Sequence, residues 1–166
     1  MSPINPYLKQ YKKNQVETAT PEQILILLYD GAINFLNKAK LNLEANDDES
    51  FHHNMQCCKN IIAEFMDTLD MEQGGQFAAV LYNLYKYLRR LIITSDVSKN
   101  TVGIDEVLKH LTNLRNTWSQ AIEKLKTEQV AATGSANINL ERQSQKEEII
   151  YKEDSEDDDE EIDEEA

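Results

Sequence analysis

Cysteine, proline and glycine are all scarce in this sequence, and each scarcity excludes something. The two cysteines, Cys57 and Cys58, are adjacent. Neighbouring cysteines bridge one another only with strain, so there is no disulfide framework and a reducing compartment fits. The three prolines all fall within the first 21 residues and glycine occurs five times, so little interrupts helix over the rest of the chain. Apolar runs are short, as in Ile24-Leu25-Ile26-Leu27-Leu28-Tyr29, where a membrane span needs about 20 such residues. The opening Met1-Ser2-Pro3-Ile4-Asn5-Pro6 lacks the basic start and apolar stretch of a signal peptide. A cytosolic (cytoplasmic) protein without membrane insertion is expected.

Positive charge is also short. Lys and Arg number 17 against 30 Asp and Glu, a formal net charge of -13 on 166 residues. No nucleic-acid partner is expected, because holding a polyanion needs clustered cations to replace its counterions. The imbalance is local: residues 1–126 carry 14 basic and 15 acidic side chains, whereas residues 127–166 carry 3 and 15. A nearly neutral body is therefore followed by an acidic appendage. Ala131-Ala132-Thr133-Gly134-Ser135-Ala136 reads as a linker, and Glu153–Glu165 holds eleven acids and one apolar residue, Ile162. Such a stretch buries too little surface to offset its ordering entropy, so disorder is expected; its ordinary role is solubility. Lys9, Lys12, Lys13, Arg89 and Arg90 are the densest basic groups, with Tyr7 and Tyr11 interleaved in the first set. They could grip an acidic partner, although solvated surface is the commoner fate of such groups.

What the sequence does have is helical periodicity. Thr20-Pro21-Glu22-Gln23 is a helix start, with a capping Thr, Pro at the first helical position and Gln able to complete a capping box. A helix over about 21–44 follows, with Ile24, Leu25, Leu28, Ala32, Phe35, Leu36, Ala39 and Leu43 on one face. Asn46-Asp47-Asp48-Glu49-Ser50 ends it and caps a second helix, which carries Phe51, Met55, Cys58, Ile61, Ile62, Phe65, Met66 and Leu69. Gly74-Gly75 marks a turn before a third, with Phe77, Val80, Leu81, Leu84, Tyr85, Leu88, Leu91 and Ile92. A loop over about 96–103 precedes a fourth, with Ile104, Val107, Leu108, Leu111, Leu114, Trp118, Ile122 and Leu125. Long helices on short connections make antiparallel neighbours. The expected fold is all-α: an antiparallel up-and-down four-helix bundle over 21–129, an N-terminal cap segment over 1–20, and a linker with an acidic tail over 130–166.

Catalytic chemistry is poorly represented. A di-iron carboxylate bundle needs two Glu-x-x-His pairs, and Glu49-Ser50-Phe51-His52 is the one pair here, at a helix start. His53 and Cys57 are one turn apart but make only two ligands. Phosphate loops and nucleophile elbows are missing. No catalytic residue, cofactor or metal is expected, so a metal-dependent bundle enzyme is the weakest reading; a structural or adaptor bundle, dimerising as a homodimer through the first long helix, is a stronger rival.

The positive signal is apolar surplus. Ile26, Tyr29 and Ile33 lie beside the main stripe of the first long helix, with Leu27 and Gly31 on its other flank, and Ala78, Ala79, Tyr82 and Ile93 lie off the stripe of the third. A bundle seam needs less than this. Either the N-terminal segment or an outside partner would cover it. Gly31, which costs about 1 kcal/mol relative to Ala inside a helix, would be explained by close approach of another backbone.

The string Val16-Glu17-Thr18-Ala19-Thr20-Pro21-Glu22-Gln23, followed by Leu28-Tyr29-Asp30-Gly31-Ala32-Ile33, resembles the FliS family of flagellar export chaperones. The likeness continues through Leu84-Tyr85-Lys86-Tyr87 and through Leu114-Arg115 with Trp118, covering about 4–126. It implies a cytosolic bundle that holds the C-terminal segment of newly made flagellin, prevents premature polymerisation and aids delivery to the export apparatus. It also implies a movable N-terminal cap, to which Tyr7 and Tyr11 would belong, and a motif helix bearing Tyr29, Gly31, Ala32 and Ile33. The candidate partner-binding residues are thus Tyr7, Tyr11, Val16, Ile26, Tyr29, Gly31, Ala32, Ile33 and Tyr82. The resemblance assigns no role to the acidic tail.

Overall fold

The computed structural model of the chain describes residues 6–156, apart from the side chains of Leu8, Tyr11, Gln15, Val16 and Gln143 and those from residue 145 onwards. It is all-helical: α1 is Pro6–Glu17, α2 Pro21–Glu44, α3 Asp48–Asp67, α4 Met71–Ser98 and α5 Thr101–Glu156, with no strand among the described residues. The chain divides into two compact units between Gln120 and Ala121.

In the first unit the helix starts follow the local chemistry read from the sequence. Thr20 accepts from the Gln23 amide at 3.3 Å while the Gln23 side chain accepts from the Thr20 amide at 3.0 Å, so the capping box of α2 is closed. Asp47 caps α3 by accepting from the Ser50 amide at 3.1 Å, and the Ser50 hydroxyl together with that amide holds its carboxyl below the usual range.

The connections differ from expectation in an instructive way. Asp70, not the glycine pair, starts α4, accepting from the amides of Glu72 and Gln73. Gly75 instead kinks α4 internally, with φ 49° and ψ -128°, a conformation open to glycine and costly for other residues. The expected loop over 96–103 shrinks to two residues: Lys99 closes α4 in the left-handed region, and Asn100 accepts from the Val102 amide at 3.0 Å. Gly103 lies in α5 and lets the two helices approach, since a Cβ there would collide with the Ser95 hydroxyl oxygen.

Each of α2–α5 contributes one row to a common core: Tyr29, Ala32, Leu36 and Ala39 from α2; Phe51, Met55, Cys58, Ile62 and Phe65 from α3; Leu81, Tyr85, Leu88 and Ile92 from α4; Ile104, Val107 and Leu111 from α5. Pairings across the core fix directions. Asn54 donates to Asn42 at 2.7 Å and Phe65 stacks on Tyr29, so α2 and α3 are antiparallel. His52 meets Asp96 and Phe65 meets Tyr85, which sets α3 against α4. Tyr87 meets Glu106 and Phe77 meets Trp118 between α4 and α5, while Lys40–Asp105 and Arg115–Asp30 join α2 to α5 in the same antiparallel sense. These half-exposed ion pairs each contribute at most about 1 kcal/mol, so they define register more than stability.

In the second unit residues 131–136, expected to be a linker, are helical, within a helix of 56 residues. After Pro21 no proline occurs, and Ala131, Ala132, Ala136, Leu140, Glu141, Arg142 and Lys146 all favour helix, against which Gly134 costs about 1 kcal/mol. Val130, Ile138 and Leu140 are exposed along it, as is Leu125, which the sequence pattern assigned to the core. The acidic run expected to be disordered falls largely beyond residue 156, outside the described residues.

Candidate functional site

The four long helices meet at one hydrogen-bonded aromatic cluster. Tyr29 of α2 and Tyr85 of α4 share a hydroxyl–hydroxyl bond of 2.5 Å, and the Trp118 indole of α5 donates to the Tyr29 oxygen at 3.2 Å. Phe65 of α3 stacks on Tyr29 with centroids 4.4 Å apart and lies 5.4 Å from Tyr85. Burial, reinforced by the Tyr85 hydroxyl, pushes the ionisation of Tyr29 well above the ordinary tyrosine value, and burial also raises that of Tyr85. Both are neutral, satisfied core groups.

Trp118 is also the way out of that core. Half-buried, it makes an edge contact at 6.3 Å with Phe77 of α4, which is 63% exposed. Phe77, Val80, Leu84 and Tyr87 follow at intervals of three, four and three, so they form one row along α4. Val80 and Tyr87 are exposed and Leu84 is half-buried against the core. At the far end of the row Tyr87 donates to Glu106 and sets its ring edge-on to His110. The result is an apolar row on α4 with Trp118 at one end and hydrogen-bonding groups at the other, the composition of a surface that binds apolar segments.

The candidate residues from the sequence scatter over this geometry. Tyr29 and Ala32 are fully buried, so neither presents a contact surface: the seam of α2 is centred on the Tyr29, Ala32, Leu36 and Ala39 row, and Tyr29 is the residue that reaches Tyr85. Ile26, Gly31 and Ile33 are half-buried, Ile33 against the core. A Cβ on Gly31 would meet Ile61 at 3.6 Å, an ordinary contact, so no neighbouring helix demands glycine there. Tyr82 is exposed on a different face of α4 from Phe77, and Tyr7 is exposed on α1. The side chains of Tyr11 and Val16 lie outside the described residues.

Phe77 and Val80 were missed as surface residues because the sequence pattern assigns them to a core stripe, whereas Trp118 does pack against the core as its stripe implies. The structure buries Ala78, assigned to the surplus, in place of its neighbour Phe77. The available signal was the Gly75 break: two residues past it, the row starting at Ala78 and the row starting at Phe77 fit helical spacing equally well.

Nothing in the arrangement resembles a reaction centre. Cys57 and His53 approach to 3.6 Å without a third ligand, and among the described residues no group of three His, Cys, Asp or Glu could hold a metal. Burial pushes the Cys58 thiol up to about 12, which makes it an inert core group. Among the described residues no helix is long and apolar enough to cross a membrane.

A family model described as "Flagellar protein FliS" matches residues 3–125. The chain belongs to the FliS family. It is 30% identical over 132 residues to the flagellar secretion chaperone FliS of Bacillus subtilis, covering 80% of this chain and 97% of that protein. It is 32% identical over 124 residues to the flagellar secretion chaperone FliS of Salmonella typhimurium, covering 74% and 92%. A relative of the same name in Campylobacter jejuni is 28% identical over 110 residues, 66% of this chain and 86% of the other. These FliS proteins are named as chaperones, a non-enzymatic role. The FliS match takes in the aromatic cluster and the α4 row, and residues 126–166 lie outside it.

Proposed function

We propose that this protein is a flagellar secretion chaperone that holds the C-terminal segment of newly made flagellin in the cytoplasm, prevents its premature polymerisation and aids its delivery to the export apparatus. Membership of the FliS family supports the chaperone role, and the exposed Phe77, Val80 and Tyr87 row beside Trp118 is the observation that carries the binding surface. The helix pairings support an antiparallel up-and-down bundle as the scaffold, with α1 as its cap segment. An amphipathic guest helix laid along α4 removes apolar surface from water on both partners. A disordered guest loses entropy on ordering, so the contact is extended and Ile26, Ile33 and Tyr82 widen it.

Calorimetry of the purified chain with a flagellin C-terminal peptide tests this. Saturable binding at or below about 10 μM is expected, and no binding at about 100 μM would sink the reading. Removal of residues 1–16 should raise guest affinity if α1 competes for the surface, and a fall in affinity of a folded truncation would count against the cap.

A further inference from the structure

The face of α4 that carries Tyr82 is basic. In a chain of net charge -13, the stretch 73–95 contains Lys86, Arg89 and Arg90 and no acid. All three cations are exposed, and none has an ion-pair or hydrogen-bond partner among the described residues. With Tyr82 as reference, residues 86, 89, 93 and 97 follow at four, three, four and four, so the cations share their face with Ile93 and Val97, both exposed. A face of mixed cations and apolar side chains fits an acidic segment interrupted by apolar residues.

One segment of this protein has that chemistry. Residues 147–156, the end of α5, read Glu147, Glu148, Ile149, Ile150, Tyr151, Lys152, Glu153, Asp154, Ser155, Glu156: five acids against one base, with three apolar residues together. As helix it is about 15 Å long, which fits on the roughly 22 Å from Tyr82 to Val97. A contact within one chain would leave the mass at 19.1 kDa, whereas a contact between two chains doubles it. We propose that the Tyr82–Val97 face of α4 docks residues 147–156 of a second copy of this chain. Two copies that exchange these segments form a closed, two-fold dimer with two equal contacts. The three cations lie on a face of α4 distinct from the Phe77 row, and Tyr82 is the residue that this docking shares with the proposed guest contact.

Light scattering on the full chain measures it. At about 50 mM salt the mass should be twice the 19.1 kDa of the monomer, and self-association should weaken at least about tenfold towards 1 M salt, where the screening length falls to about 3 Å. The full-length triple variant Lys86→Glu, Arg89→Glu, Arg90→Glu should be monomeric, and so should Glu147→Lys, Glu148→Lys, Glu153→Lys. Mixed together they should dimerise, because each reversed face then meets a reversed segment and each unaltered face an unaltered one. A monomeric wild-type chain at low salt, a dimer indifferent to both reversals, or a mixture that stays monomeric would each overturn the proposal. If a triple variant loses its helical circular dichroism, the salt titration of the wild-type chain and the milder Arg89→Gln, Arg90→Gln variant decide the matter.

Discussion

The Tyr29–Phe65–Tyr85–Trp118 cluster and the Phe77–Val80–Tyr87 row are built from the same kinds of residue on adjoining helices, yet one is sealed and the other open. Tyr29 has no exposed surface and its hydroxyl is satisfied twice, whereas Phe77 is more than half exposed and meets the edge of Trp118. Which aromatic is structural and which is free to bind depends on helix register, and aromatic content alone does not distinguish them. Trp118 belongs to both regions, so stability and binding meet at that residue.

The sharpest way to break the contrast is truncation on each side. Tyr29→Ala leaves a cavity among buried rings and should cost about 3–5 kcal/mol, read as a lower denaturant midpoint. A loss under 1 kcal/mol would mean that the cluster is not a structural centre.

Alkali separates the two regions next. Burial holds the folded-state ionisation of Tyr29 and Tyr85 above the ordinary 10.0. Below pH 10 both states keep their protons and the stability is fully present. Above it the unfolded chain loses protons that the folded chain retains, so stability should fall as pH rises, by up to about 1.4 kcal/mol per unit per tyrosine. Denaturation series from pH 8 to pH 11 would show this, and the double variant Tyr29→Phe, Tyr85→Phe should flatten the slope.

On the open side, Phe77→Ala with Val80→Ala should leave stability within about 0.5 kcal/mol per site while weakening flagellin-peptide affinity about tenfold or more, or 1.4 kcal/mol. Unchanged affinity would move the guest surface elsewhere.

The smallest effect is at Gly31. Because a Cβ there meets only Ile61 at 3.6 Å, Gly31→Ala should stabilise the folded chain by up to about 1 kcal/mol. If guest affinity falls as stability rises, close approach of the guest is the reason for the glycine. If affinity is unchanged, Gly31 lies away from the guest.

Much of this organisation was legible beforehand because it is local. The capping box at Thr20, the Asp47 cap and the 3.6-residue periodicity of four long helices depend only on nearby residues. What failed was everything that required one helix to choose its orientation about its own axis. In α4 two apolar rows satisfied the same spacing, and the core shared with α2 and α3, where Tyr85 meets Tyr29 and Phe65, took the one that includes Ala78, leaving Phe77 and Val80 outside. In α2 the spacing put Tyr29 beside the main stripe, but a partner hydroxyl on Tyr85 satisfies its oxygen and allows full burial. The linker expected near residue 130 failed for another reason: small residues read as flexible are also good helix formers when alanine dominates and proline is absent.

The sequence by itself determined that the chain is helical, where α2 and α3 begin, where its charge lies and to which family it belongs, since each follows from short-range pattern. The tertiary structure decided which aromatics are core and which are surface, which glycine is required by close approach, and which cations remain unpaired. Those outcomes depend on what stands opposite a residue across a helix interface, and periodicity carries no information about the opposite helix.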